Sequence, residues 1–337
     1  MITGIIVRNK DEPNLIEWIL YHLNLGFNHI LINDDNSNPS AIEIVKDYNN
    51  QIFKKGDGNI LNIFYQKYGP IDTDKLEIVN VLKNKKRVMF ELSDNEKFWQ
   101  PVFNYLNKYN LDYLFQLDMD EYVVLNNKYK TIQDFIKRSK YNKLNQLHIN
   151  WVLFGNNNYS SLKHYDKTSL IKLFTKSSPY LDNRCKSLVK YNVIKNCVNP
   201  HYFNINTNLN NYNLLLQDCL INVPSITNIL YNSMDIYIAH FMVKDTKNYL
   251  ERRFINITAT LFKKINNTDE FKEFLKSNIL LIINWISNKE SFNNEKIQQL
   301  NGFKTYYLTN LKKIKEFYDN INQNTITNLD LINRFLK

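Results

Sequence analysis

The chain has 337 residues, which at about 100–200 residues per domain allows one large domain or two smaller ones. Its 44% hydrophobic and 14% aromatic content supports a core of ordinary size and excludes a mainly disordered chain, while only 7 glycines and 7 prolines exclude collagen-like and low-complexity classes. Three cysteines are too few for a disulfide framework, which favours a reducing compartment. The net charge of +10 suits an anionic partner, although an AT-rich genome also produces excess lysine.

No targeting or membrane segment is predicted. The N-terminus turns polar after one short apolar run, which is not the pattern of a signal peptide. The most apolar later stretch, residues 279–286, is far shorter than the roughly 20 residues that a membrane helix needs. We therefore expect a cytoplasmic protein without a membrane span.

The first elements predict a parallel βαβ unit. A buried strand is predicted over residues 2–7, and a helix begins near Glu12 and ends before Gly26. A second strand over residues 29–32 leads into the polar residues 33–37. Strand, helix and strand in this order indicate parallel pairing, and open sheets of this kind bind ligands at the carboxyl ends of their strands.

The rest of the chain divides by pattern into two regions. Strands are predicted over 60–65, 113–117, 146–154, 169–175 and 186–193, and helices over 96–109, 131–140, 247–262, 269–286 and 300–318. The pattern changes from mixed to helical near residue 245. We therefore expect an α/β domain over residues 1–245 and a helical C-terminal region over residues 246–337 that packs on it, stabilises it and does no chemistry.

The clearest chemistry lies where an apolar strand ends in acids. Residues 113–117 lead to Asp118, Asp120 and Glu121, after which the chain is apolar again. Burying three carboxyls in four residues is unfavourable without a cation, and hard divalent ions prefer oxygen ligands. The pattern predicts a divalent-metal site. One alternative is a solvated strand end. Another is a phosphatase of the haloacid type, whose Asp-x-Asp motif has Thr or Val two residues after the second Asp, and Tyr122 at that position disfavours it.

With this segment in place, the sequence resembles the metal-dependent glycosyltransferases of the GT-A fold, in the group around family 92 and its family-2-like relatives. The resemblance covers roughly residues 3–253. It rests on segments in the right order, at residues 8–12, 17–18, 21–27, 32–37, 117–122, 151–155, 186–189, 201–203 and 239–250. It implies a Rossmann-like, nucleotide-diphospho-sugar transferase fold.

The resemblance also implies a reaction and its donor site. The reaction is transfer of a sugar, with inversion favoured, from a UDP- or GDP-sugar donor to a glycan or other hydroxyl acceptor. By the resemblance, Asp34 or Asp35 approaches the nucleoside beside Arg8, and Asp120, with Asp118, holds Mn²⁺ or Mg²⁺ on the diphosphate. A metal there would neutralise the charge that develops on the leaving diphosphate.

Further residues are expected around this donor site. Lys186 adds positive charge, unless it lies on a solvated strand edge. An imidazole is expected among the metal ligands, and His201 is preferred over its alternative, His240. An inverting transfer needs a general base, for which Asp182 is the candidate and Asp166 the alternative.

Two other kinds of protein compete with the transferase. A basic nucleic-acid-binding protein fits the net charge, but the sequence lacks a basic stripe with interleaved aromatics, so we expect no nucleic-acid partner. An inactive GT-A scaffold fits the fold, but the intact acids Asp118, Asp120 and Glu121 argue against it.

Overall fold

The computed structural model describes residues 1–52, 59–80, 103–157, 159, 168–196, 201–205, 211–219, 228–244, 268–287, 294–322 and 324–336. Its strands are β1 (Thr3–Asn9), β2 (His29–Asp34), β3 (Leu76–Val79), β4 (Tyr113–Asp118), β5 (Glu121–Leu125), β6 (Gln146–Leu153), β7 (Lys176–Ser177), β8 (Cys185–Lys190), β9 (Ile194–Asn196), β10 (Asn204–Ile205), β11 (Asn211–Asn213), β12 (Ile236–His240) and β13 (Ile326–Thr327). Its helices are α1 (Leu15–Asn24), α2 (Ala41–Asn49), α3 (Ile60–Tyr68), α4 (Ile132–Arg138), α5 (Leu170–Leu173), α6 (Thr268–Ser287), α7 (Asn294–Gln298) and α8 (Thr305–Asn322), with single turns at Thr73–Lys75, Leu106–Lys108, Tyr191–Val193, Tyr231–Ser233 and Ile332–Leu336.

The predicted parallel βαβ unit is confirmed. Strand β1 pairs in parallel with β2 and with β4, and its apolar residues are fully buried. Helix α1 lies against the start of β5, where the Trp18 indole N–H and the Tyr21 hydroxyl donate to backbone carbonyls at 2.8 and 2.6 Å. The chain leaves α1 through Gly26 at φ +102°, a conformation that favours glycine.

A mixed sheet of nine strands forms the centre of the fold. Eight of them follow the order β3-β2-β1-β4-β8-β6-β12-β5, and β11 pairs with β6. Strands β8 and β5 run antiparallel to their neighbours, whereas β1, β2, β3, β4, β6 and β12 all point the same way. Six carboxyl ends and two strand starts therefore share one edge, called the carboxyl edge below.

The sheet curls because of the position of β5. Strand β5 follows β4 after only Met119 and Asp120, yet it pairs with β12 at the far end of the strand order. Both conditions are met only if the sheet bends back on itself. The curl brings the acids after β4 next to the end of β12.

Two predicted strands are wrong and form helices. Residues 60–65 lie in α3, which begins after Asn59, whose side chain accepts the Leu61 N–H at 3.0 Å. Ile60 and Phe64 are one helical turn apart and both buried, so four apolar residues in a short run fit a helix as well as a strand. Residues 169–175 contain α5, which Ser169 caps through the Lys172 N–H at 3.1 Å.

The C-terminal region is helical as predicted where the structure describes it, in α6, α7 and α8. The predicted helix over 247–262 lies outside the described residues, and of 96–109 only the end is described, which is helical over 103–108. After α8 the chain returns to the sheet domain, because β13 pairs with β7. Among the described helices, none combines the length and the apolar character needed to span a membrane.

Candidate active site at the carboxyl edge

The curl gathers three charged side chains from three strands. Lys186, near the start of β8, donates to Asp118 Oδ2 at 2.8 Å and lies 3.5 Å from Glu121 Oε2. The Asp118 backbone N–H donates to the same Glu121 oxygen at 2.8 Å. Lys186 and Glu121 are fully buried, but the Asp118 side chain is 45% exposed. The cluster is therefore anchored in the core and opens to solvent at Asp118.

Burial and charge oppose each other in this cluster. Burial raises the pKa of Glu121 well above its ordinary value, Lys186 opposes that shift, and Asp118 and Asp120 add to it. Burial alone would lower the pKa of Lys186, but its carboxylate neighbours outweigh burial and raise it. Lys186 is thus a fixed cation. Asp118 and Glu121 both lie within 3.5 Å of this one ammonium, and Asp120 acts on it through its charge, so a further cation at this place would favour the ionised form of Glu121.

One carboxylate oxygen in the cluster has no internal partner. Glu121 Oε1 is buried and makes no hydrogen bond with any part of the chain that the structure describes. An unsatisfied buried carboxylate oxygen is unfavourable. Either a proton on Glu121, in line with its raised pKa, or a nearby cation would satisfy it.

The end of β12 places His240 beside the acids. His240 is the register partner of Glu121 on one side and of Leu153 on the other. Its Nε2 lies 3.5 Å from Asp120 Oδ1. The imidazole packs edge-on against the Trp151 ring, with 4.3 Å between centroids.

His201 lies near the same tryptophan. Its centroid is 5.7 Å from that of Trp151, and its Nδ1 lies 3.1 Å from the Cys185 carbonyl oxygen, to which it can donate. Burial lowers the pKa of His201, which keeps the imidazole neutral. Both predicted histidines are therefore near the cluster, and His240 lies 3.5 Å from the Asp120 carboxylate.

The residues present fit a divalent ion only in part. No group of three or more His, Cys, Asp or Glu side chains in the described ranges is arranged to enclose a metal. Asp120 and His240 supply one carboxylate and one imidazole, and their 3.5 Å separation approaches the roughly 3 Å between adjacent ligands with bonds of about 2.1 Å. Ions such as Mg²⁺ are often held by one or two carboxylates together with substrate phosphates. Asp120 and His240 by themselves are therefore too few ligands to enclose such an ion.

The two acids at the end of β2, Asp34 and Asp35, have internal partners. Asp34 accepts from the Asn9 amide at 2.9 Å and from the Ala41 backbone N–H at the start of α2 at 2.8 Å. Both of its oxygens are thus used to hold β1, β2 and α2 together. Asp35 pairs with Arg8, whose Nε donates to Asp35 Oδ2 at 2.9 Å. Arg8 is also the register partner of Asp118, so this pair lies next to the acid cluster.

Of the two candidate general bases, the structure describes Asp182 but not Asp166. Both oxygens of Asp182 accept from Arg184, from Nε at 2.6 Å and from Nη2 at 2.9 Å. Accepting a proton from an acceptor hydroxyl would require Asp182 to leave this bidentate pair. The alternative, Asp166, lies outside the described residues.

Sequence reasoning missed a buried ion pair at the same edge. Lys244, after β12, donates to Glu12, after β1, at 2.9 Å, and both side chains are buried. The pair joins two loops whose strands are far apart in the strand order. Its only sequence signal is that opposite charges follow two buried strands.

Comparisons with known proteins give little further information. No protein-family model matches the chain, and no curated protein matches it. A solved structure described as UDP-glucose pyrophosphorylase complexed with UDP-glucose aligns over 57% of this chain and 69% of its own, with 9% identity and a TM-score of 0.26. A TM-score this low does not establish a shared fold, so the function proposed next depends on the geometry above.

Proposed function

We propose that the protein is a metal-dependent glycosyltransferase that moves a sugar from a nucleotide-sugar donor to a hydroxyl acceptor. The observation that carries the proposal is the acid cluster at the carboxyl edge, where Glu121 is fully buried with one unpartnered oxygen while Asp118 opens to solvent. The GT-A resemblance supports the same reaction. The mixed sheet, with the acid cluster at its carboxyl edge, is compatible with that fold.

The roles of the donor-site residues follow from their contacts. Asp120 and His240 would hold Mn²⁺ or Mg²⁺, which supplies charge neutralisation on the donor diphosphate when bound. We prefer His240 to His201 because His240 contacts Asp120. Arg8 and Asp35 form the neighbouring nucleoside side of the site, whereas Asp34 maintains the fold of that turn.

Lys186 orients the site and adds to its positive charge. Its ammonium is fixed between Asp118 and Glu121, so the Asp118 carboxylate is held at the solvent edge. A fixed charge of this kind stabilises developing negative charge without reorganising during the reaction. Lys186 is therefore a positioning residue for the acids and part of the electrostatics of the donor site.

The proposed transfer is a substitution at the anomeric carbon of the donor sugar. The acceptor oxygen bonds to that carbon, and the bond from carbon to the diphosphate oxygen breaks with its electron pair on the leaving group. The proton of the acceptor hydroxyl passes to a basic group. Asp182 stays the candidate base, on the condition that Arg184 releases it when the acceptor binds.

The decisive experiment measures donor binding by calorimetry with and without Mn²⁺. UDP-glucose, UDP-galactose and GDP-mannose are titrated into the wild type, Asp120→Asn and Asp47→Asn. Asp120→Asn keeps the side-chain size but removes the charge, so we expect Mn²⁺-dependent donor binding to weaken at least tenfold, which is about 1.4 kcal/mol.

Asp47→Asn is the matched control, because Asp47 is exposed on α2 away from the carboxyl edge. It should bind the donor as the wild type does, and all three proteins should keep the same thermal midpoint. Donor binding that is equally strong without metal in the wild type and in Asp120→Asn would refute the metal site. No binding of any of the three donors to the wild type would refute the donor class.

A further inference from the structure

A cavity of about 270 Å³ lies between the sheet domain and the C-terminal helices. One wall is the segment from β7 to β8, with Tyr180, Asp182 and Arg184. The other wall is the last turns of α8, with Phe317 and Asn320. Helix α8 therefore contributes side chains to a cavity whose other wall belongs to the sheet domain.

The cavity adjoins the acid cluster through one strand. Leu153 lines the cavity and is the register partner of His240, so both side chains project from the same face of the sheet. Trp151, two residues earlier on that face, contacts the His240 ring at 4.3 Å. The Arg184 guanidinium carbon lies 5.0 Å from the Trp151 ring centroid and 5.6 Å from that of Phe317. Arg184 thus lies between Trp151 on β6 and Phe317 on α8.

The lining has the chemistry of a site for an uncharged polyhydroxyl ring. Arg184 and Asp182 neutralise each other, and no other charged residue lines the cavity among the described residues. The Asn320 amide offers both a donor and an acceptor, and Tyr180, 43% exposed, offers an aromatic face with a hydroxyl. A few placed polar groups among aromatic faces are typical of small-molecule sites.

The size of the cavity suits one sugar ring. Sites for drug-sized ligands occupy about 300–1,000 Å³, so this cavity is slightly below that range. This volume is sufficient for one sugar ring.

We propose that this cavity binds the acceptor as a single neutral sugar ring and that α8 is part of the acceptor site. The assignment of that ring as acceptor depends on the proposed function. It differs from the expectation that the C-terminal helices do no chemistry. The binding itself is testable without the donor.

The test uses full-length protein and four simple glycosides as probes. Methyl β-glucopyranoside, methyl β-galactopyranoside, methyl α-mannopyranoside and methyl β-glucuronide are titrated by saturation-transfer NMR. The variants are Asn320→Trp, which fills the cavity from an exposed position on α8, and Tyr180→Ala. The control is Lys312→Trp, at an exposed position of the same helix that does not line the cavity.

We expect at least one neutral glycoside to bind the wild type and Lys312→Trp saturably and alike. Its affinity should fall at least tenfold in Asn320→Trp and in Tyr180→Ala, and the glucuronide should bind more weakly than the glucoside. Absence of binding by all neutral glycosides, wild-type affinity in both cavity variants, or preference for the glucuronide would overturn the proposal. Calorimetry of the nucleotide sugars on the same proteins tests the donor site separately from the cavity. If the wild type binds no nucleotide sugar, that result contradicts the proposed function and leaves the binding of a sugar ring in the cavity unaffected.

Discussion

Glu17 is a single buried carboxyl that makes folding stability depend on pH. Its Oε1 accepts from the Tyr122 hydroxyl at 3.3 Å and from the Ile171 N–H at 3.1 Å. Its Oε2 is buried without a hydrogen-bond partner among the described residues. Burial raises the pKa of Glu17 to about 7, because the hydrogen bonds to Oε1 oppose the effect of burial only in part.

The pH dependence follows from that raised pKa. Between pH 4.5 and about 7 the folded protein keeps a proton that the unfolded chain has lost, so stability falls as the pH rises through this range. The loss contributed by Glu17 is on the order of 3 kcal/mol above pH 7. Glu17→Gln imitates the protonated carboxyl and should remove this loss.

Urea unfolding at pH 5 and pH 8 measures the effect. Glu17→Gln should match the wild type at pH 5 and exceed it by about 3 kcal/mol at pH 8. Glu316→Gln, at an exposed position on α8, should follow the wild type at both pH values. Parallel pH curves for the wild type and Glu17→Gln would show that Glu17 does not keep its proton in the fold.

The residues of the candidate site differ in how far sequence predicts them. Asp118, Asp120 and Glu121 are adjacent in the chain, so the change from apolar to acidic residues is visible directly. The partners Lys186 and His240 lie more than 60 and more than 110 residues further on, and only the curl of the sheet brings them to the acids. Hydrophobic periodicity in the sequence does not predict that curl. The sequence therefore does not decide between His201 and His240 as the histidine beside the acids.

At the scale of elements, two predicted strands are helices because a short apolar run fits a buried strand and a buried helix equally well. Helix α3 has the apolar, β-branched and aromatic residues of a strand, but Asn59 at its start and Gly69 at its end, with φ +71°, are helix boundaries. Those two residues are the signal that could have identified it. The parallel strands β1 and β4 were predictable because continuous apolar runs of this length fit a strand buried on both faces.

The last turn of the chain, Ile332–Leu336, closes over helices α1 and α3. The Phe335 ring stacks on Tyr68, with centroids 4.8 Å apart and planes at 8°, and meets Phe64 at 5.5 Å. Arg334 donates to the Leu125 carbonyl at 2.6 Å. This turn therefore fastens the C-terminal residues to the core of the sheet domain.

Phe335→Ala should destabilise the protein by about 3–5 kcal/mol, because it leaves a cavity among buried aromatic rings. Urea unfolding followed by circular dichroism measures the change. Leu329→Ala is the control in the same segment, since Leu329 is exposed and its loss should change stability by less than about 0.5 kcal/mol. Equal, small effects in both variants would mean that the C-terminal turn contributes nothing to the core.

At the scale of the whole molecule, the division at residue 245 does not separate two cores. Ile5 of β1, Trp285 of α6 and Phe335 belong to one continuous cluster of buried hydrophobic residues. Backbone pairing adds to this, because β13 in the C-terminal region is hydrogen-bonded to β7 in the sheet domain. The two regions differ in secondary structure, which is what sequence patterns detect, but they bury their apolar faces against each other.

A shared core predicts that both regions unfold together. Trp18 in α1 and Trp285 in α6 are both buried, so each reports on its own region. With 5-fluorotryptophan incorporated, and each ¹⁹F signal assigned by a single Trp→Phe variant, the native signals of both residues should disappear at the same urea concentration. The physical reason is that removing either region exposes the apolar face of the other, so neither is stable once its partner has unfolded. Earlier loss of the Trp285 signal, with Trp18 still native, would instead show that residues 246–337 are a separate folding unit.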